Sequence, residues 1–272
     1  MINASKTKLV IFTTRQKRIH LSPDNDIHSL IIEDAVLHPT ISAKFLGLDL
    51  NFHEHFKIIN SKISKGLYAL KRASKILVQR DLKTLYFALI YPYLNYGILL
   101  WGGLCKIHSP YRILNSGNEG NTMPHCLAQI HKLQKRALRV ISSQGYRSHH
   151  IPLCFTLQTL DLEHIYELKA LSFLYDYYHD KLPPFLHNKL IFYYNRHNEL
   201  CLKTQYRRTD IASSSLFHTL PNIWNPLPNN LKLSILNSKQ SFLREFKNYI
   251  FSKYEVWRCC DRFCYVCGSG NI

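Results

Sequence analysis

"KIINSKISKGLYALKRASKILVQR", residues 57–80, carries an apolar pattern and a basic pattern on one helical period. At about 100° per residue, the apolar side chains fall within about 80° of one another; they are Ile59, Ile63, Leu67, Leu70 and Leu77. The basic side chains share an opposing sector of about 140°; they are Lys57, Lys62, Lys65, Arg72 and Lys75. The stretch therefore predicts an amphipathic helix over 54–78, with one face in a core and the other cationic.

The basic face of this helix lacks acidic neighbours in the sequence. No Asp or Glu occurs from His55 to Arg80, so the i,i+4 partners of an ordinary charged face are missing. Two interpretations stay open: a solvated face that only keeps the chain soluble, and a surface that binds a polyanion.

A second basic helix is predicted over 126–143, "CLAQIHKLQKRALRVISS". Its apolar stripe consists of Ile130, Leu133, Ala137 and Ile141. Its basic side chains lie together on the other side; they are Lys132, Lys135, Arg136 and Arg139. Across 82–160 the only acidic residue is Glu119. Two one-sided basic helices favour binding of a phosphate backbone.

The remaining patterns predict an α+β chain that is mainly α. Short strands are predicted at Lys8–Thr13, Ser29–Glu33 and Lys44–Leu50, separated by turn-forming residues. Further helices are predicted over 81–100, 161–180 and 238–254. The proline-rich stretch 183–236 is predicted to be irregular and held in place by Trp224.

Composition narrows the choice of partners. The chain has 272 residues, 46% of them hydrophobic, which is enough for a core. Thirty-five basic against 18 acidic side chains give a net charge of +17, which favours nucleic acid or an anionic membrane surface as partner.

An uncharged segment, residues 85–105, is long enough to be compared with a membrane span of about 20 residues. Pro92, Asn95 and four tyrosines interrupt it, so we expect a buried core helix bent at Pro92 and no membrane partner. Residues 1–30 show no secretory signal, so the chain is expected to be intracellular, cytoplasmic or nuclear, and not secreted.

Eight cysteines fall into two groups. Four are scattered singly and are predicted to be small buried apolar residues; they are Cys105, Cys126, Cys154 and Cys201. In the tail "WRCCDRFCYVCGSGNI", the spacing of Cys260, Cys264 and Cys267 is C-x3-C-x2-C. Zn²⁺ would need one more ligand, such as Cys259 or a distant histidine. Unligated thiols are the alternative.

Five ordered motifs carry a family resemblance. They are "INASKTKLVIF" (2–12), "AKFLGLDL" (43–50), "LYALKRASKILVQRDLKTLYFALIYPYLNYGILLWG" (67–102), "LQKRALRVI" (133–141) and "LFHTLPNIWNPLPNNL" (216–231). In this order they resemble the C-terminal part of the reverse transcriptases of non-LTR retrotransposons, the jockey-like LINE elements. The likeness extends to about residue 250 of the chain.

The resemblance implies a domain layout. Residues 1–52 would be the end of a polymerase palm with its primer-grip hairpin, 53–110 a thumb-like helical region, 111–255 a C-terminal helical domain and 256–272 a cysteine-rich tail. In the family the paired metal-binding aspartates precede the segment matched here by Lys6. The fingers and most of the palm are therefore expected to be absent from this chain, which would be a truncated enzyme that binds no cofactor; Mg²⁺ is expected only for the complete polymerase.

The resemblance also implies roles for individual residues. Lys6 matches a lysine that donates a proton to departing pyrophosphate in a complete enzyme, although an ordinary turn lysine is the alternative. Lys44, Phe45, Leu46 and Gly47 match the primer grip, where an ordinary buried hairpin is the alternative. The implied partners are an RNA template and a DNA primer.

The acidic pair Glu33 and Asp34 is not expected to be an active site. Its side chains would point to opposite faces of a strand, whereas two-metal catalysis needs converging carboxylates. The sequence therefore predicts nucleic-acid binding without polymerisation. The alternatives are a stand-alone RNA- or DNA-binding helical module and a protein of the membrane surface.

Overall fold

The structure is a computed structural model that describes residues 7, 9, 30–32, 35–37, 40, 43–45, 48–49, 52–104, 125–205 and 213–256. The chain divides into two units, Met1–Ile58 and Ile59–Ile272. The described residues are mainly helical with short antiparallel strands, which confirms the predicted α+β, mainly α class. The predicted positions Lys6, Leu46, Gly47, Glu33, Asp34 and the four tail cysteines lie outside the described residues.

The first unit contains two short hairpins. Strands β1 (Leu30–Ile32) and β2 (Ala35–Leu37) pair antiparallel, as do β3 (Lys44–Phe45) and β4 (Leu48–Asp49). Lys44 pairs with Asp49 and Phe45 with Leu48. The single strand predicted at Lys44–Leu50 is therefore two strands of a hairpin. Of the strand predicted at Lys8–Thr13, only Leu9 is described, and its carbonyl accepts from the Thr40 amide at 2.7 Å.

The remaining described residues form helices and one further hairpin. The helices are α1 (Phe52–Ala73), α2 (Gln79–Leu89), α3 (Tyr91–Asn95), α4 (Ile98–Trp101), α5 (His125–Ile141), α6 (His150–Thr156), α7 (Leu162–Tyr178), α8 (Leu216–Trp224), α9 (Asn229–Leu233) and α10 (Lys239–Val256). The hairpin consists of β5 (Phe192–Tyr194) and β6 (Leu200–Leu202). Single 3₁₀ turns occur at Pro184–Leu186 and Ser234–Leu236.

Helix α1 ends earlier than predicted. Ile59, Ile63, Leu67 and Leu70 are buried, which confirms most of the apolar face. The helix stops at Ala73, and the Ser74 hydroxyl donates to the Lys71 carbonyl at 2.9 Å, which satisfies one of the terminal carbonyls. Leu77 and Lys75 therefore lie in the turn after the helix, and Leu77 is exposed rather than buried.

The single helix predicted over 81–100 is three short helices. Pro92 sits in the first turn of α3, where its missing N–H needs no partner. Gly97 breaks the chain between α3 and α4 with φ of 62°, a left-handed conformation that glycine adopts without a Cβ clash. Buried residues nevertheless recur through the three helices at Tyr86, Ile90, Leu94, Ile98 and Trp101. None of the described helices combines the length and the apolar character needed to cross a bilayer.

The prediction of an irregular stretch over 183–236 is wrong for its described residues, which form β5, β6, α8 and α9 and are joined by tertiary hydrogen bonds. The fully buried Trp224 of α8 donates its indole N–H to the Leu200 carbonyl of β6 at 2.9 Å. The Asn225 amide accepts from the Leu202 N–H at 2.8 Å and donates to the Leu202 carbonyl at 2.9 Å, as a neighbouring strand would. Trp224 does pin the segment, as predicted.

Helix α7 lies at the centre of the core. It packs against α10, α8, α4 and α3. Side chains from all around its circumference are buried, among them Ile165, Tyr166, Ala170 and Leu174. The thiols of Cys154 and Cys201 are buried and form no disulfide, which confirms two of the four predicted buried cysteines; the side chains of Cys105 and Cys126 lie outside the described residues.

Gly103 provides a test of this packing. A Cβ at this position would collide with the backbone carbonyl of Ser214. We expect Gly103→Ala to lower the free energy of unfolding by about 1–3 kcal/mol, measured by urea denaturation, because backbone has to move to accept the methyl group. Gly145→Ala is the matched control, since nothing lies within 4 Å of its Cβ. Equal stability of the two variants would contradict the packing described.

Candidate nucleic-acid interface

An open groove of about 740 Å³ runs between α1 and α5. Helix α1 contributes the polar side chains of Asn60 and Ser64. The cations of the groove come from α5 and the loop that follows it; they are Lys132, Lys135, Arg136, Arg139 and Arg147. Tyr146 completes the wall, together with Gln129 and Leu133. We call this surface the basic groove.

The basic groove continues along α1 into a second hollow of about 300 Å³. Arg136, Arg139 and Tyr146 line both, and Lys71 adds a sixth cation. At about 1.5 Å per residue, the α1 wall from Asn60 to Lys71 is about 17 Å long. One strand of a duplex carries a phosphate about every 3.4 Å of its axis, so this length matches about five phosphates.

Burial of one face of α5 produces the cationic wall. Leu127, Ile130, Leu138 and Ile141 are buried on the face opposite the cations. Gln134 is buried among them, and its amide N–H donates to the Tyr86 hydroxyl at 3.1 Å and to the Leu160 carbonyl at 3.0 Å. These two bonds fix how α5 is rotated about its axis relative to its neighbours.

The buried face of α5 is rotated relative to the predicted stripe. Ile130, Ala137 and Ile141 are buried as predicted, but Leu133 is only half-buried because it lies at the edge of the basic groove. Because of this rotation, Lys135 is half-buried. Burial lowers the pKa of its ammonium group, and the negative charge of the Asp161 carboxylate opposes that shift.

The cations of the basic groove form no ion pair with a carboxylate among the described residues. In the part of the chain that the structure describes, no carboxylate lies within ion-pair distance of Lys71, Lys132, Arg136 or Arg147. The groove lining also contains no acidic residue among those described. Arg139 differs, since its Nε donates to the Ser148 carbonyl at 2.8 Å and its guanidinium carbon lies 5.8 Å from the centre of the Tyr146 ring.

The predicted basic face of α1 is not part of this groove. Lys62, Lys65 and Arg72 are exposed, but they lie about 120–200° around the helix from Asn60. Lys57 forms an ion pair with Glu54 at 2.7 Å, so the prediction that this lysine lacks an acidic partner is wrong. The partner was missed because it lies one residue before the acid-free window. Lys75 lies in the turn after α1.

Sequence reasoning located the α5 cations but missed other groove residues. Lys71 stands beside Arg72 in the sequence but belongs to the stripe of Asn60 and Ser64, with spacings of four and seven residues. Tyr146 and Arg147 lie in the turn after α5, and 82% of Tyr146 is exposed. The sequence did contain a signal for these two residues: an aromatic and a cation, Tyr146 and Arg147, directly follow Gly145 after a basic helix.

One group of described residues has the composition of a metal site. His131, His150 and Asp161 each offer one ligand atom, and the three atoms lie within 4.8 Å of one another. The group is adjacent to Lys135, whose positive charge contributes to lowering the pKa of both imidazoles.

Comparisons with known proteins add no assignment, since no family model, curated protein or solved structure matches the chain.

Gln134 provides a test of how the groove wall is held. We expect Gln134→Ala to lower the free energy of unfolding by about 1–3 kcal/mol, because the Tyr86 hydroxyl and Leu160 carbonyl lose a buried partner. Gln129→Ala, an exposed position on the same helix, is the control and should change stability little. Matching urea midpoints for the two variants would show that the buried amide does not hold α5.

Proposed function

We propose that the basic groove binds the sugar-phosphate backbone of a nucleic acid. The observation that carries the proposal is a groove lined by six cations, none of which forms an ion pair with a carboxylate in the described part of the chain. Like charges held close together on a rigid helix favour a polyanion that neutralises several of them at once.

The groove geometry favours a nucleic-acid strand over a small anion or a membrane. Its length matches several consecutive phosphates rather than one, and Asn60 and Ser64 supply neutral donors of the kind that contact phosphate oxygens. A concave surface fits a rod-like polymer, whereas a flat anionic bilayer would be contacted by a flat or convex one. Tyr146 offers an exposed ring on which a base or a ribose can stack.

The family resemblance suggests which nucleic acid is bound. The motifs at 67–102 and 133–141 include parts of α1 and α5, the two walls of the groove. In reverse transcriptases of non-LTR retrotransposons, the region after the palm closes over the template–primer duplex. We therefore assign to this chain the duplex-gripping part of an RNA-directed DNA polymerase, with an RNA template annealed to a DNA primer as its ligand.

Catalysis would depend on groups outside the groove. Phosphoryl transfer to a primer requires carboxylates that hold two divalent ions about 4 Å apart. In the family these are the palm aspartates, and Mg²⁺ is the ion they hold.

The second candidate function is a stand-alone module that binds RNA or DNA through the same groove without any role in polymerisation.

Removing groove cations tests the proposal. We expect Lys132→Gln, Arg136→Gln and Arg147→Gln together to weaken binding to an RNA–DNA duplex of any sequence. The slope of log K against log salt should fall by about 0.9 per residue removed, because fewer counterions are released. Fluorescence anisotropy at several salt concentrations measures both quantities.

Two matched triple variants serve as controls. Lys189→Gln, Arg196→Gln and Lys203→Gln remove the same charge around the hairpin of β5 and β6, and should leave the salt slope nearly unchanged. Lys62→Gln, Lys65→Gln and Arg72→Gln remove three charges from the outer face of α1, and should also leave the salt slope nearly unchanged. A slope unaffected by the groove substitutions, or reduced equally in all three variants, would contradict binding in the groove.

Tyr146 tests base stacking separately from charge. We expect Tyr146→Ala to weaken binding of single-stranded RNA by about 1–3 kcal/mol without changing the salt slope, because a stacked base loses its platform. Tyr146→Phe keeps the ring and should bind as the parent does. Loss of affinity in both variants would assign the effect to the hydroxyl instead.

A further inference from the structure

Three helices bring metal-binding side chains together beside the basic groove. His131 projects from α5, His150 is the first residue of α6, and Asp161 is the N-cap residue of α7. The two imidazole rings meet edge to face, with centroids 5.6 Å apart and an angle of 88° between their planes. One ligand atom from each residue lies within 4.8 Å of the other two.

The cluster contains a buried nitrogen with no partner among the described residues. Nε2 of His131 is out of contact with solvent, and none of the described residues forms a hydrogen bond with it. An unsatisfied buried polar atom costs about 1–3 kcal/mol, so such atoms are uncommon unless a ligand or an ion occupies the site. Several other described side chains have such an atom, and His131 differs from them because it belongs to a group of three potential metal ligands.

We propose that His131, His150 and Asp161 bind a divalent transition-metal ion, with Zn²⁺ as the expected ion. Two imidazole nitrogens and one carboxylate oxygen are a known type of zinc ligand set, which leaves the fourth tetrahedral position to water. The residues come from three helices, so the ion would join α5, α6 and α7 at one point.

The protonation states fit this role. Burial, reinforced by the charge of Lys135, lowers the pKa of His131 to about 4 and that of His150 to about 3, so both rings keep their lone pairs at neutral pH. Burial alone would raise the pKa of Asp161, but the charge of His164 and its hydrogen bonds hold that pKa below its usual value. The carboxylate is therefore ionised.

A second layer of hydrogen bonds holds the carboxylate in place. Oδ1 of Asp161 accepts from the His164 backbone N–H at 3.0 Å and lies 2.6 Å from Nδ1 of the same residue. The Tyr254 hydroxyl of α10 lies 2.8 Å from that Nδ1. Metal-binding carboxylates are commonly oriented by such outer partners. Lys135, Arg139 and the charged form of His164 act against a cation here, and burial already lowers the pKa of Lys135.

Metal content of the full chain tests the site. The tail thiols are first removed by Cys259→Ser, Cys260→Ser, Cys264→Ser and Cys267→Ser, so that only the helical site remains. We expect this parent chain to retain about one Zn²⁺ after dialysis. Co²⁺ should give a visible tetrahedral spectrum without the near-ultraviolet charge-transfer band of thiolate ligands. Zn²⁺ should also raise the unfolding temperature.

Single histidine substitutions locate the ligands. In the parent chain, His131→Asn and His150→Asn should each weaken Zn²⁺ binding about tenfold or more, since loss of an outer partner alone costs that much. His197→Asn, an exposed histidine in the turn between β5 and β6, is the matched control and should bind as the parent does. Undiminished affinity in His131→Asn overturns the proposal. If that variant does not fold, the parent chain alone decides. A parent chain that retains no Zn²⁺ after dialysis, or whose unfolding temperature Zn²⁺ does not raise, overturns the proposal.

Discussion

Burial of one face of α5 determines where every cation on its other face lies. Lys132 with Arg136, and Lys135 with Arg139, are like-charge pairs at i,i+4, each of which costs about 0.2–0.5 kcal/mol. Full burial of one Leu or Ile contributes about 1.5–3 kcal/mol, and Leu127, Ile130, Leu138 and Ile141 are all buried. The apolar face therefore outweighs the repulsion, and the helix holds the cations together without a neutralising carboxylate among the described residues. A polyanion in the groove would remove the remaining repulsion.

Polar groups set the position of α5 more closely than apolar packing can. The Gln134 amide bonds Tyr86 of α2 and the carbonyl of Leu160, which fixes both the rotation of α5 and its height along its axis. On the neighbouring face of α5, His131 meets His150 and Asp161. Lys135 lies between this histidine cluster and the groove, and it interacts electrostatically with all three residues of the cluster. A metal ion bound at the histidine cluster would therefore lower the pKa of Lys135, whereas a phosphate bound in the groove would raise it.

The sequence predicted the helices, which depend on apolar periodicity. It did not predict the breaks and hairpins that depend on single contacts. Helices α1, α5 and α10 follow clear apolar periods, so their existence was predictable, and so were the four α5 cations. Helix α7 is buried on all sides, so its apolar content was predictable but not a buried face. The break at Gly97 and the hairpin tied to Trp224 depend on one backbone angle and one indole hydrogen bond, which periodicity does not encode. Tyr146 and Arg147 join the groove only because the turn after α5 folds back towards α1. The histidine cluster brings together residues up to 30 positions apart, beyond the reach of any local pattern.

Photo-cross-linking tests whether the groove between α1 and α5 holds the nucleic acid. An RNA–DNA duplex carrying a photoreactive uridine analogue is irradiated with the full chain, and the adducts are mapped by mass spectrometry. We expect adducts at Tyr146 and in the α5 segment from Gln129 to Arg139. Adducts confined to the outer face of α1 around Lys62 and Lys65, or to the hairpin of β5 and β6, with none in the groove, would contradict it.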